Sequence, residues 1–163
     1  SHGGSLRGMA QKKGGPRAAG SSVARAVAEE EALGLDKAET LRAFAGRIDA
    51  RKAELSALLA GLKAEGKSIA GFGAPAKATT LMYHFKIGPD IIDFIVDDSP
   101  LKQNLLSPGM HIPVVGPQAI AERKPDALVI LAWNFADPIM ANNAAFHDRG
   151  GRFIIPLPEV RMI

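Results

Sequence analysis

The chain has 163 residues, 47% hydrophobic and 23% charged, the balance of a soluble globular protein with room for one domain and an accessory segment. It contains no cysteine, which excludes disulfides and thiolate metal sites, and its longest apolar run, Ala127–Trp133, is far too short to cross a bilayer. No signal peptide is visible, so a cytoplasmic location is expected; the first residue is not methionine, so the chain is expected to be an excised piece of a longer protein. The formal net charge of +3 is uneven, because residues 1–28 carry Arg7, Lys12, Lys13, Arg17 and Arg25 and no acid. These charges are dispersed, with no aromatic among them, which favours a solvated connector over a nucleic-acid-binding or membrane-binding arm.

Residues 1–22 are rich in Gly, Ser, Ala and basic side chains and read as a linker. Ser22 can cap a short helix over Val23–Leu33, which Gly34 stops. Asp36 and Glu39 form a capping-box pattern that opens a long helix to about Glu65, so residues 23–65 read as a helical segment. From Gly66 onward strands and helices alternate. The expected strands are Ser68–Phe72, Ile91–Val96, Ile112–Val115, Ala127–Trp133 and Arg152–Ile155; the expected helices are Pro75–Phe85, Pro117–Glu122 and Pro138–Arg149. Near-continuous apolar strands are covered on both faces, so residues 66–163 read as an α/β, Rossmann-like three-layer sandwich with a mostly parallel sheet.

The chemistry concentrates at Gly71-Phe72-Gly73-Ala74-Pro75-Ala76, spaced G-x-G-x-x-A, where a strand turns into a helix carrying Lys77 in its first turn. Such a turn lets a backbone approach closely and points free amides at an anion. Lysine is disfavoured at a helix N-terminus by the helix dipole, so Lys77 makes most sense beside a phosphate or carboxylate. A solvated lysine on an ordinary turn is the competing reading. Two other polar clusters fall at strand carboxyl ends: Asp97-Asp98, and Trp133-Asn134. Asp97 lies 26 residues beyond Gly71, further than the usual ribose-binding acid, and can equally cap the turn at Ser99-Pro100. Trp133 can simply fill the rim of the core. Lys102, Gln103 and Asn104 sit in a long polar loop, the kind of segment that carries binding residues.

No two of His2, His84, His111 and His147 have metal-ligand spacing, and Thr79 and Thr80 lack a neighbouring base, so neither a metal site nor a hydroxyl nucleophile is expected. Ser68-Ile69-Ala70 offers no acid ahead of the glycines, which argues against S-adenosylmethionine in this turn. Alternatives from the residues alone are a nicotinamide-dinucleotide-binding oxidoreductase or sensor module, and a structural domain whose long helix serves as a homodimer or interdomain strut.

Three stretches in order, GFGAPAKATTLM (Gly71–Met82), VDDSPLKQNLLSPGMHIPV (Val96–Val114) and LAWNF (Leu131–Phe135), resemble the C-terminal domain of S-adenosylmethionine-dependent sugar C-methyltransferases; His2–Arg7 is similar to the end of the preceding domain. The resemblance implies an upstream methyltransferase domain of the same chain that binds S-adenosylmethionine, a zinc domain before it, and a substrate that is a nucleoside-diphosphate-linked deoxy-ketosugar. The family's acid–base motif is absent here, so no catalytic residue is assigned and no cofactor is expected in these residues. Gly71, Gly73, Ala74 and Lys77 then become a candidate diphosphate cradle, with Asp97, Lys102 and Asn134 as its polar rim; His2 could face the sugar.

Overall fold

The alternating apolar strands assemble into one six-stranded sheet in a computed structural model that describes residues 6–163. Its strands are β1 (Ile69–Phe72), β2 (Ile95–Val96), β3 (Val114–Val115), β4 (Ala127–Ile130), β5 (Arg152–Ile155) and β6 (Arg161–Met162). Their order is β3-β2-β1-β4-β5-β6, with all pairings parallel except β5 with β6. That is the strand order of a doubly wound sheet, and it reverses between β1 and β4. The fold is a Rossmann-like α/β sandwich preceded by helices.

The helices are α1 (Ser21–Ala32), α2 (Ala38–Ala64), α3 (Ala76–Phe85), α4 (Ala119–Arg123), α5 (Ala136–Asn142) and α6 (Ala144–Asp148). Contacts divide the chain into two units, one ending at Asp49 and the other spanning Ala50–Ile163, so the division falls inside α2. In the first unit α1 buries no side chain, and Val23, Val27, Leu41 and Phe44 remain exposed. In the second, strand alternation sends Ala70, Phe72, Phe94, Val96, Leu128, Ile130, Phe153 and Ile155 to one face, where they pack with Ala119, Ile120, Ala136 and Phe146. The buried Leu55 and Leu59 of α2 and Leu81, Met82 and Phe85 of α3 lie outside that cluster and complete the other face.

Several expected boundaries shift for local reasons. The strand expected over Ile91–Val96 keeps only Ile95–Val96 as ladder, because the amides of Ile91 and Ile92 both close a turn on the Gly88 carbonyl. The helix expected over Pro138–Arg149 starts earlier and breaks in two. A 3-10 turn over Trp133–Phe135 leads into α5, so Pro138 sits in the first turn, where no amide is needed. At Asn143 the backbone leaves helical geometry (φ −117°, ψ 30°) while its side-chain amide donates to the Ile139 carbonyl at 2.8 Å, competing with the helix ladder. Ser22 does not cap α1: the helix begins two residues earlier than expected, at Ser21, with Gly20 at the cap and no side-chain bond. The antiparallel β6 is absent from the sequence reading. The loop between β2 and β3 also runs back along β3, with Asn104 N–H donating to Val114 O and Val114 N–H to Leu105 O, both at 2.8 Å.

Gly73 fixes the turn that the site depends on. Its φ is +88°, and a Cβ there would stand 2.7 Å from the Cβ of Ala132, so the turns after β1 and β4 touch only because residue 73 has no side chain. Gly73→Ala is expected to destabilise the protein by about 1–3 kcal/mol, combining left-handed strain with overpacking. Urea unfolding of the two proteins measures this.

Candidate functional site

In an open α/β sheet, ligands lie beyond the carboxyl ends of the strands where the strand order reverses. Here that point separates the turn after β1 from the turn after β4, and it brings Lys77 and Asn134 together across 57 positions of sequence. The Lys77 ammonium donates to Asn134 Oδ1 at 2.7 Å and lies 4.2 Å from the centroid of the Trp133 ring. Withdrawal from water holds the Lys77 pKa below the usual lysine range, although the indole face and the amide oxygen both favour the charged form. No side chain caps α3, whose N-cap is Pro75; Ala78 N–H donates to Pro75 O at 2.9 Å, while the amides of Ala76 and Lys77 precede the first helical acceptor. An oriented ammonium therefore stands at a helix start that no side chain caps.

The glycine turn itself is closed by protein groups. Gly71 N–H donates to Phe94 O at 2.9 Å and Gly73 N–H to Val96 O at 2.7 Å. Ala74 N–H donates to Asp97 Oδ2 at 2.7 Å, and Lys102 Nζ reaches the same oxygen at 3.1 Å. Asp97 Oδ1 accepts from Ser99 N–H at 2.9 Å, the capping turn that was one of the two readings of this residue. Gln103 donates its side-chain amide to the Asp97 carbonyl at 3.0 Å. Asp97 is only 7% exposed. Burial pushes its pKa up, but the amides of Ala74 and Ser99 together with Lys102 outweigh this, and the carboxyl lies below its ordinary value. The seven candidate residues thus fall into two groups: Lys77 and Asn134 line the crevice, while Asp97 and Lys102 form a latch that holds the turn carrying Gly71, Gly73 and Ala74.

Sequence reasoning left Trp133 undecided between filler and site. It does both, packing against the core cluster while carrying Lys77 over its ring. On the same side of the sheet, a cavity of about 340 Å³ is lined by Trp133, Asn134, Asp137, Ile155, Leu157 and Arg161. Asp137 and Arg161 carried no signal in the sequence, since their proximity arises only when β6 folds back onto β5. His2 lies outside the described residues. Among those described, no three His, Asp or Glu converge as a metal-binding group, and no helix is long and apolar enough to cross a membrane.

Strand order and covering helices define a doubly wound α/β domain, with Lys77, Trp133 and Asn134 gathered at its reversal point. The model of the C-methyltransferase C-terminal domain family matches residues 1–158, and the chain belongs to that family. It is similar to the C-methyltransferase NovU of Streptomyces niveus, with 38% identity over 162 residues, covering 99% of this chain and 39% of the relative. The chain thus spans about two-fifths of the length of the curated relative it matches.

The Asp97 latch has a measurable value. Asp97→Ala should lower the unfolding free energy by about 1–3 kcal/mol, since it leaves amides and an ammonium without their acceptor. A carboxylate with a depressed native pKa stabilises the fold above its unfolded value, about 3.9, and loses that contribution as pH falls through the native value. Denaturant titrations should therefore show the gap between wild type and variant narrowing below about pH 4.

Proposed function

We propose that this chain is the substrate-positioning domain of an S-adenosylmethionine-dependent C-methyltransferase whose substrate is a nucleoside-diphosphate-linked deoxy-ketosugar. Family membership supports the enzyme class, and the Lys77 ammonium, held on Trp133 and Asn134 at the sheet's reversal point, is the observation that carries the substrate reading. Lys77 and the amides of Ala76 and Lys77 at the start of α3 hold the diphosphate, Asn134 aims the ammonium, and Gly71, Gly73 and Ala74 shape the turn. The Asp97–Lys102 pair forms the polar edge of the cleft and keeps that turn in place.

The cleft does not fit S-adenosylmethionine or a dinucleotide. The Gly73 and Ala74 amides are already bonded to Val96 O and Asp97, and the acid that would take a ribose hydroxyl is occupied by Ala74, Ser99 and Lys102. The methyl donor is therefore assigned to an upstream domain, where it supplies an electrophilic methyl group. Proton removal beside the ketone and attack of the resulting carbanion fall to groups outside this chain. Its own contribution is orientation: a sugar tethered through a gripped diphosphate presents one carbon to the donor, an intramolecular advantage no dissolved substrate has.

Titration calorimetry with uridine diphosphate and with inorganic pyrophosphate tests this. Lys77→Ala should weaken both by about 10- to 100-fold, the worth of a charge-assisted bond; equal dissociation constants for variant and wild type would rule the cradle out. Because the lysine pKa is lowered, the part of the affinity that Lys77→Ala removes should begin to fall before the ordinary lysine value of about 10.4 is reached.

A further inference from the structure

The cavity beyond β4 and β5 adjoins the Lys77 crevice through two shared residues. Trp133 carries Lys77 over its ring and also lines the cavity, and Asn134 accepts from Lys77 and also lines it. Its remaining walls are mixed: Ala136, Pro138, Ile155, Leu157 and Pro158 are apolar, while Asp137 and Arg161 are charged. These two opposite charges line one cavity of about 340 Å³, yet among the described residues neither makes an ion pair.

We propose that this cavity seats the nucleobase of the sugar nucleotide, with Trp133 as its aromatic wall and with Arg161 and Asp137 bonding the polar edge of the base. The inference rests on the reading of Lys77 as the diphosphate anchor. Three features orient the ligand this way round. An aromatic wall suits a flat ring, and indole–base stacking is tolerant of which base is present. Every nucleobase presents a hydrogen-bond donor beside an acceptor along its edge, which matches one carboxylate beside one guanidinium. The Asp137 carboxylate repels phosphate, whereas the crevice side offers the Lys77 ammonium; phosphates therefore belong with Lys77 and the uncharged ring with Asp137.

Binding of pyrophosphate, uridine diphosphate and glucose 1-phosphate to wild type and to Lys77→Ala, Arg161→Ala and Asp137→Ala separates the contributions. Uridine diphosphate should bind wild type at least about tenfold more tightly than pyrophosphate, the gain expected from stacking and edge contacts. Arg161→Ala and Asp137→Ala should erase most of that gain and leave pyrophosphate affinity unchanged. Both side chains are exposed, so thermal midpoints should match wild type. Equal binding of uridine diphosphate and pyrophosphate to wild type overturns the proposal. So does an Arg161→Ala loss that is as large for pyrophosphate as for the nucleotide, which would make Arg161 a phosphate ligand. A gain seen with glucose 1-phosphate and abolished by the same two variants would give the cavity to the sugar and also refute it. Pyrophosphate binding that survives Lys77→Ala is a different failure, that of the diphosphate reading beneath it.

Discussion

One nearly buried carboxylate organises the carboxyl end of this sheet. Asp97 directly follows β2, and its oxygens are spent on the amide of Ala74 in the neighbouring turn, on the amide of Ser99 and on Lys102. In a dinucleotide-binding fold of the same strand order, the glycine-turn amides face a pyrophosphate and the acid faces a ribose. Here the two halves of that recognition system satisfy one another. The glycine spacing survives because the backbone still needs Gly73, whose absent side chain lets Ala132 approach. The glycine spacing thus coexists with a turn whose Gly73 and Ala74 amides already have protein acceptors.

Lys77 projects from the start of α3 and is steadied by an indole face and an amide oxygen, both from the turn after β4. Steadying a long side chain in advance lowers the entropic cost of using it. A pre-set ammonium on an indole face loses less freedom when it engages an anion.

Much of this was legible in the chain. The runs around β1 and β4 are apolar enough to demand cover on both faces, and the alternation from Gly66 onward admits few architectures. Lys77 stood out because a cation opposes the dipole of the helix it opens. Its partners did not stand out, since Trp133 and Asn134 meet it only through the pairing of β1 with β4, a relation with no local signature. Asp97 was readable as either a ligand group or a turn cap, and only the tertiary approach of Ala74 decides which bonds it makes. The break at Asn143 depends on a side chain choosing a backbone carbonyl over solvent. The strand β6 is two residues long and follows a proline-rich bend, below any usable periodicity.

The margins of the sheet carry a practical corollary. A free strand border invites a neighbouring molecule to add itself, row upon row, into fibrous precipitate. On the β3 side, residues 104 and 105 already occupy the outward-facing backbone groups of Val114, and on the opposite side the outermost strand is a two-residue stub bearing a guanidinium. Neither border is long or bare enough to seed such growth, so handling at high concentration should be limited by exposed apolar side chains of the first unit, such as Val23, Val27, Leu41 and Phe44, rather than by the sheet.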